Sequence, residues 1–344
     1  MDRRAFLKSA AGAGILGASG LATPAISQRA TAGVVRLVPH ADLANFDPIW
    51  TTAYIARNAG LLVWDTLYGV DGKLKVQRQM VEAEEVSGDG LSWTFRLRPG
   101  LKFHDGEPVL AKDAVASINR WSARDPMGQM LKASENELAA VDDRSFRWIL
   151  KKPFPKMLLA LGKLGTPCCF VMPARIAATD PFKQIDEFVG SGPMRFVRSD
   201  WMPGVKSAFE KFTDYVPRQE EASWMAGGKR IVAERIEWIT MPDPATVAAA
   251  LQTGEIDWWE IAIPDLLPIL RKNRNNSGGY PGPARQHRHR GDEPPVPAVQ
   301  RRPGATRDPR RHEPGRIHAR LYRRRCEPVE AAARLFHPGH GFVQ

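Results

Sequence analysis

Between residues 70 and 121 the apolar pattern switches from alternation to helical spacing across two glycine turns, and this ordering constrains the fold more than any other stretch. Gly88-Asp89-Gly90 precedes Ser92-Trp93-Thr94-Phe95-Arg96-Leu97, where Trp93, Phe95 and Leu97 share one face and Thr94 and Arg96 the other. Such alternation specifies an antiparallel strand covered on one side. Arg98-Pro99-Gly100 turns the chain again, through Leu101-Lys102-Phe103-His104-Asp105-Gly106. A helix is then expected over 112–121, where Val115 and Ile118 stand three apart and Asp113 suits the positive end of the helix dipole.

The same two periods recur along residues 28–276. A strand is expected at 34–38, ended by Pro39, then a loop at 43–52 around Asp47-Pro48 and a helix over 54–67. A strand over 145–150 follows the Asp142-Asp143 turn, and Pro153 and Pro155 stop it before a helix over 156–164. After a strand at 235–241, Asp243 and Pro244 read as N-cap and first residue of a helix that Gly254 ends, with a strand at 255–259.

Three of these units carry a resemblance. They are the 70–121 block, the Gly190-Ser191-Gly192-Pro193-Met194-Arg195-Phe196 turn, and the unit from Ile239-Thr240-Met241-Pro242-Asp243 to Gly254-Glu255-Ile256-Asp257. Together they resemble the family 5 extracellular solute-binding proteins, the receptors of peptide and nickel ABC importers, over residues 34–274. Met194 stands where members carry an aromatic residue, and Leu110 where they often carry a Ser or Thr cap.

The resemblance implies an α/β fold of the periplasmic-binding-protein type II-like kind. Its first lobe, a mixed sheet with helices, carries an inserted α+β subdomain over about 53–190, and the second lobe is missing. It implies capture of an oligopeptide or peptide-like small solute between hinged lobes, and docking on an inner-membrane permease by a periplasmic monomer. No catalysis, cofactor, metal or nucleic acid is expected. Phe46, Asp47 and Trp50 are expected near the ligand cleft, as are Ser191 and Gly192 of the crossover turn and Trp258, Trp259 and Glu260. Aromatic rings there would cover apolar ligand groups, and Glu260 would pair with a ligand amine. The two tryptophans also read as core, since alternation turns only one of them toward a given face.

The ends of the chain differ from its middle. Arg3-Arg4-Ala5-Phe6-Leu7-Lys8, a Gly/Ala-rich apolar run and Ala25-Ile26-Ser27 resemble a twin-arginine export signal over 1–27, with a Sec signal or an uncleaved anchor as alternatives. Residues 277–344 hold 14 Arg, no Lys and 6 acidic residues, so this segment carries +8 of the net +11. The remaining +3 makes the rest nearly neutral, which argues against a nucleic-acid surface on the folded part. With 12 large apolar residues in 68, the tail is expected to build no core. Arg without Lys, amid Pro, Gly, Ala and His, is what GC-rich codons yield out of frame, so a frameshift near codon 276 is expected. The rival is a genuine arginine-rich tail that binds nucleic acid or acidic surfaces.

Catalytic signals are weak. Cys168, Cys169 and Cys326 fit neither a disulfide framework nor a metal spacing, and the adjacent pair reads as buried thiols. Before the tail only His40 and His104 occur, so no two-histidine ligand set is apparent, and His104 reads as support for a turn. Glu82, Glu84 and Glu85 read as a solvated face.

Overall fold

In the computed structural model, which describes residues 33–272, the chain builds two main sheets, leaving the first through one helix and returning to it after two others. The leader 1–27 and the tail 277–344, with Cys326, lie outside the described residues. Strand β1 (Val34–Val38) opens the first sheet. The chain then leaves through the 43–52 loop and helix α1 (Tyr54–Val63). A small hairpin, β2 (Tyr68–Val70) and β3 (Val76–Arg78), leads into the second sheet.

That second sheet is antiparallel. It comprises β4 (Val81–Val86), β5 (Ser92–Leu97), β6 (Glu135–Ala140) and β7 (Ser145–Leu150) in the spatial order β4-β5-β7-β6. Helices α2 (Ala111–Arg124) and α3 (Pro126–Ala133) connect β5 to β6. Trp93 faces Trp148 and Phe95 faces Phe146 across β5 and β7, with the phenyl rings stacked at 4.9 Å. Cross-strand aromatic pairs of this kind fix strand register. Arg96 stays exposed while Phe95 and Leu97 are buried, as the alternation predicts.

After α4 (Met157–Gly162) and α5 (Ala174–Ala177) the chain returns to the first sheet. It adds β8 (Met194–Phe196), β9 (Lys206–Lys211), β10 (Arg235–Ile239), α6 (Pro244–Thr253) and β11 (Trp258–Trp259), followed by α7 (Leu267–Lys272). The spatial order is β11-β1-β10-β9-β8, with β1 parallel to both neighbours. Asp243 caps α6 by accepting the Thr246 N–H at 2.8 Å, and Gly254 ends it at φ 77°.

Two expectations change and a third is extended, since Asp113 stands in the first turn of α2 as expected. Helix α1 stops at Val63, short of 67, because Trp64 and Leu67 turn into the core around buried Asp65. Asp113 is buried: its carboxylate takes the Leu110 N–H (2.8 Å) and the Ala174 N–H (2.7 Å), stapling α2 to α5. Glu84 is no simple surface anion, since the Arg78 guanidinium (2.7 and 2.9 Å) and the Tyr68 hydroxyl (2.8 Å) hold it. No strand is expected from the sequence at β2, β3, β4, β6, β8 or β9, and no helix at α3, α5 or α7. Cys168 and Cys169 are buried free thiols.

One large apolar cluster spans both sheets, and a small one of Val38, Val247, Ala250 and Ile256 lies under α6. Trp258 packs on the first and Trp259 on the second, the split that alternation demands. Among the described residues no helix is long and apolar enough to cross a membrane.

Candidate functional site

The parallel triplet β11-β1-β10 gives the molecule a carboxyl edge, and solutes bound by open α/β sheets sit outside such edges where connections diverge. His40 follows β1, Thr240 follows β10 and Glu260 follows β11. Glu260 continues the ladder by donating its N–H to the Val38 carbonyl (3.0 Å), which points its side chain at the end of β1. Its Oε2 accepts the His40 N–H at 2.8 Å and lies 2.9 Å from His40 Nδ1. Its Oε1 accepts the Asn58 amide at 3.1 Å. The carboxylate is thus 6% exposed, against 18% for the imidazole.

Behind this pair, Arg57 donates to Asn58 Oδ1 (3.2 and 2.8 Å) and to the Leu164 carbonyl (3.2 Å), with its guanidinium 4.4 Å from the Tyr54 ring centre. Burial pulls the Arg57 guanidinium below its ordinary value, opposed by Cys168, Tyr54 and Glu260. Two polar residues inside the otherwise apolar α1 are the sequence signal that marks such a buried cluster, and it passed unused.

The expected site residues divide sharply. Trp50 is half-buried; its indole N–H donates to the Phe182 carbonyl (3.1 Å), and its own carbonyl accepts from Arg124 (2.8 Å). Trp258 and Trp259 are half-buried on the edge strand, beside Glu260. Phe46, in contrast, is core: it meets Phe196 at 4.6 Å, Trp64 at 5.0 Å and Phe188 at 5.4 Å. Asp47, 1% exposed, pairs with Arg120 (2.6 Å) and accepts the backbone N–H groups of Ile49, Trp50 and Ile185. It fixes the 43–52 loop rather than offering a carboxylate to solvent.

Ser191 and Gly192 are also consumed internally. The Ser191 hydroxyl donates to the Val171 carbonyl (3.0 Å) and accepts the Asp65 N–H (3.1 Å). Gly192 donates its N–H to the Val63 carbonyl (2.8 Å), and a Cβ there would lie 2.7 Å from the Leu62 oxygen. The turn is therefore a rivet on the end of α1, and its glycines serve close approach. His104 clamps it from outside. Gly190 donates its N–H to Nδ1 (3.1 Å), so the neutral ring carries its proton on Nε2 and donates to the Gly192 carbonyl (3.0 Å). Burial holds this imidazole down to about 4, helped by Arg195 and opposed by the Gly192 hydrogen bond and Asp105.

A second, sealed cluster surrounds Asp65. Lys229 Nζ and the Tyr215 hydroxyl each lie 2.8 Å from its carboxylate, and Thr66 N–H donates at 2.9 Å. Burial alone would raise the Asp65 carboxyl, but Lys229 and these hydrogen bonds outweigh it and hold it below the usual range. Burial and Asp65 push the Tyr215 hydroxyl far up. A concavity of about 450 Å³ beside β2 and β3 is lined by charges already spent on each other, Arg78 with Glu84 and Arg218 with Glu220. Among the described residues no group of three or more His, Cys, Asp or Glu is placed to hold a metal.

Comparison with known proteins places this edge in context. The family model for bacterial extracellular solute-binding proteins, family 5 middle, matches residues 75–289. A probable peptide ABC transporter periplasmic-binding protein, y4tO of Sinorhizobium fredii, is 37% identical over 76% of this chain and 50% of its own. The glutathione-binding protein GsiB of Pectobacterium atrosepticum is 31% identical over 67% of this chain and 42% of its own. The chain thus spans about half the length of the curated relatives it matches. In fold it is similar to a dipeptide-binding protein from Pseudoalteromonas sp. SM9913 solved with Met-Leu, at a TM-score of 0.57 and 20% identity, covering 70% of this chain and 50% of that one. These relatives and neighbours are binding proteins rather than enzymes. On the family match and the identity to its relatives, the chain belongs to the family 5 bacterial extracellular solute-binding proteins.

Proposed function

We propose that this chain is the solute-capturing half of an ABC importer receptor, and that its solute is a peptide or peptide-like small molecule. The observation that carries this is the half-open polar cluster at the carboxyl edge, where Glu260, next in the chain to half-buried Trp258 and Trp259, holds His40. The names of the relatives, a peptide receptor and a glutathione receptor, support the cargo class.

Trp50, Trp258 and Trp259 cover apolar parts of the solute, while Phe46, Asp47, Ser191 and Gly192 hold the cleft's wall from within. The protein works in the periplasm as a monomer that delivers to an inner-membrane permease, reached by the twin-arginine route through its leader. A thermal-shift titration of the full chain with reduced glutathione and with trialanine tests the reading. A saturable rise in melting temperature with either is expected, and no shift with either at millimolar concentration contradicts it.

A further inference from the structure

Helix α2 carries two arginines one turn apart, Arg120 and Arg124, and only the first is answered by an anion. Arg120 is buried; its Nη2 lies 2.6 Å from Asp47 Oδ2, and it also donates to the carbonyls of Thr179, Asp180 and Lys183. Asp47 in turn accepts the Ile185 N–H at 3.1 Å, so this one pair clamps the 43–52 loop and the 179–185 segment against α2. Arg124 is half-buried and has no carboxylate partner among the described residues. Its Nη2 donates to the Trp50 carbonyl at 2.8 Å, while Nε and Nη1 meet no acceptor among those residues.

Three contacts close a small ring around that cation. The guanidinium carbon stands 4.8 Å from the centre of the Phe182 ring, the Trp50 indole N–H donates to the Phe182 carbonyl at 3.1 Å, and Arg124 holds the Trp50 carbonyl. Phe182 is 65% exposed and Trp50 half-buried, so solvent reaches the rings beside the guanidinium. Arg120 and Asp47 already clamp the two segments, which leaves most of the Arg124 N–H donors without a structural task. An arginine held by an aromatic ring and a carbonyl is a preorganised fork, and its in-plane N–H groups match the two oxygens of a carboxylate. Rings at its side suit the apolar body that bears the anion. A peptide carboxylate meets both requirements.

We propose that Arg124, flanked by Trp50 and Phe182, forms a subsite for the carboxylate of the solute. The inference rests on the receptor function proposed above and names the group of the solute that this part of the protein meets. Trp50 precedes α1 on the same connection that His40 begins, so one stretch of chain serves both this subsite and the carboxyl-edge cluster. Arg124 reaches Trp50 across 74 residues of sequence, which is why pattern alone does not single it out.

The test uses the full chain labelled with 15N-arginine. N-acetylalanine, which has a carboxylate and no amine, is expected to shift the Arg124 Nε resonance, identified by its loss in Arg124→Lys, whereas N-acetylalaninamide leaves it in place. Phe182→Leu is expected to weaken the N-acetylalanine response about threefold. Equal responses to the two probes, no response to N-acetylalanine, an equal response to inorganic phosphate, or an unchanged response in Phe182→Leu overturns the subsite. Calorimetry then separates the two claims. Trialanine is expected to bind about tenfold more tightly than trialaninamide, a difference that Arg124→Gln abolishes; its persistence in that variant also overturns the subsite. Absent binding of both peptides speaks against the receptor function, while the N-acetylalanine shift decides the subsite alone.

Discussion

Asp65 and Glu260 are both carboxylates tied to partners far away in sequence, 164 residues to Lys229 and 220 to His40, yet one cluster is sealed and the other opens at its rim. Around Asp65 a cation, a phenol and a backbone N–H converge, and the carboxylate is 0% exposed. Around Glu260 the donors are a neutral amide, an imidazole and a backbone N–H, and the imidazole's far nitrogen remains available. The first arrangement holds the 215–229 segment to the end of α1. The second leaves a half-buried imidazole at the edge where a solute is expected. Buried polar groups in this fold thus do two jobs, and exposure of the outermost atom tells them apart.

The comparison breaks most readily at Asp65. Asp65→Ala removes the buried carboxylate that answers the Lys229 ammonium and is expected to cost about 3–5 kcal/mol, read from denaturant unfolding of the full chain by tryptophan fluorescence. Glu260→Ala is expected to cost about 1–3 kcal/mol, and equal losses would erase the distinction between sealed and open.

Acid sharpens it next. The folded His104 value is depressed to about 4 from an ordinary 6.5, so the neutral ring's contribution is complete above about 6.5 and is lost as pH falls toward 4. Stability should fall by at most about 3 kcal/mol across that window, and His104→Gln should flatten the slope. Asp65 acts in a lower window, since its depressed carboxyl keeps its contribution until pH drops below the ordinary 3.8. A single transition below pH 4, with no earlier slope, would contradict the His104 clamp.

Smaller effects follow. Ser191→Ala removes an acceptor for the Asp65 N–H and a donor to Val171, for an expected loss of about 1–2 kcal/mol without change in solute affinity. Solute binding that falls while stability holds would return Ser191 to the cleft. Asp243→Ala, at the exposed cap of α6, should lower the melting temperature least of all, since only the small cluster under that helix depends on it.

Local patterns announced half of the strands and helices, those whose causes are local. The Trp93, Phe95, Leu97 alternation and the Asp243, Pro244, Gly254 punctuation act within a few residues, so sequence alone located β5 and α6. Strand β4 escaped because Glu82, Glu84 and Glu85 mask its alternation, and Glu84 gains partners only when β3 and β2 fold beside it. The site was half legible for the same reason. Glu260 and the paired tryptophans sit in a recognisable unit, but His40 and Asn58 join Glu260 through contacts spanning about 200 residues, which no window of sequence contains. Asp47 and Ser191 have polar side chains that looked available, and only their burial shows them already engaged.

The most direct test of the central claim, that solute meets the open carboxyl edge, is hydrogen–deuterium exchange of the full chain with and without saturating trialanine. Slower exchange is predicted at residues 39–42 and 258–263, with 62–66 and 190–192 unchanged. Protection confined to other segments, with calorimetry showing trialanine bound, would contradict the account.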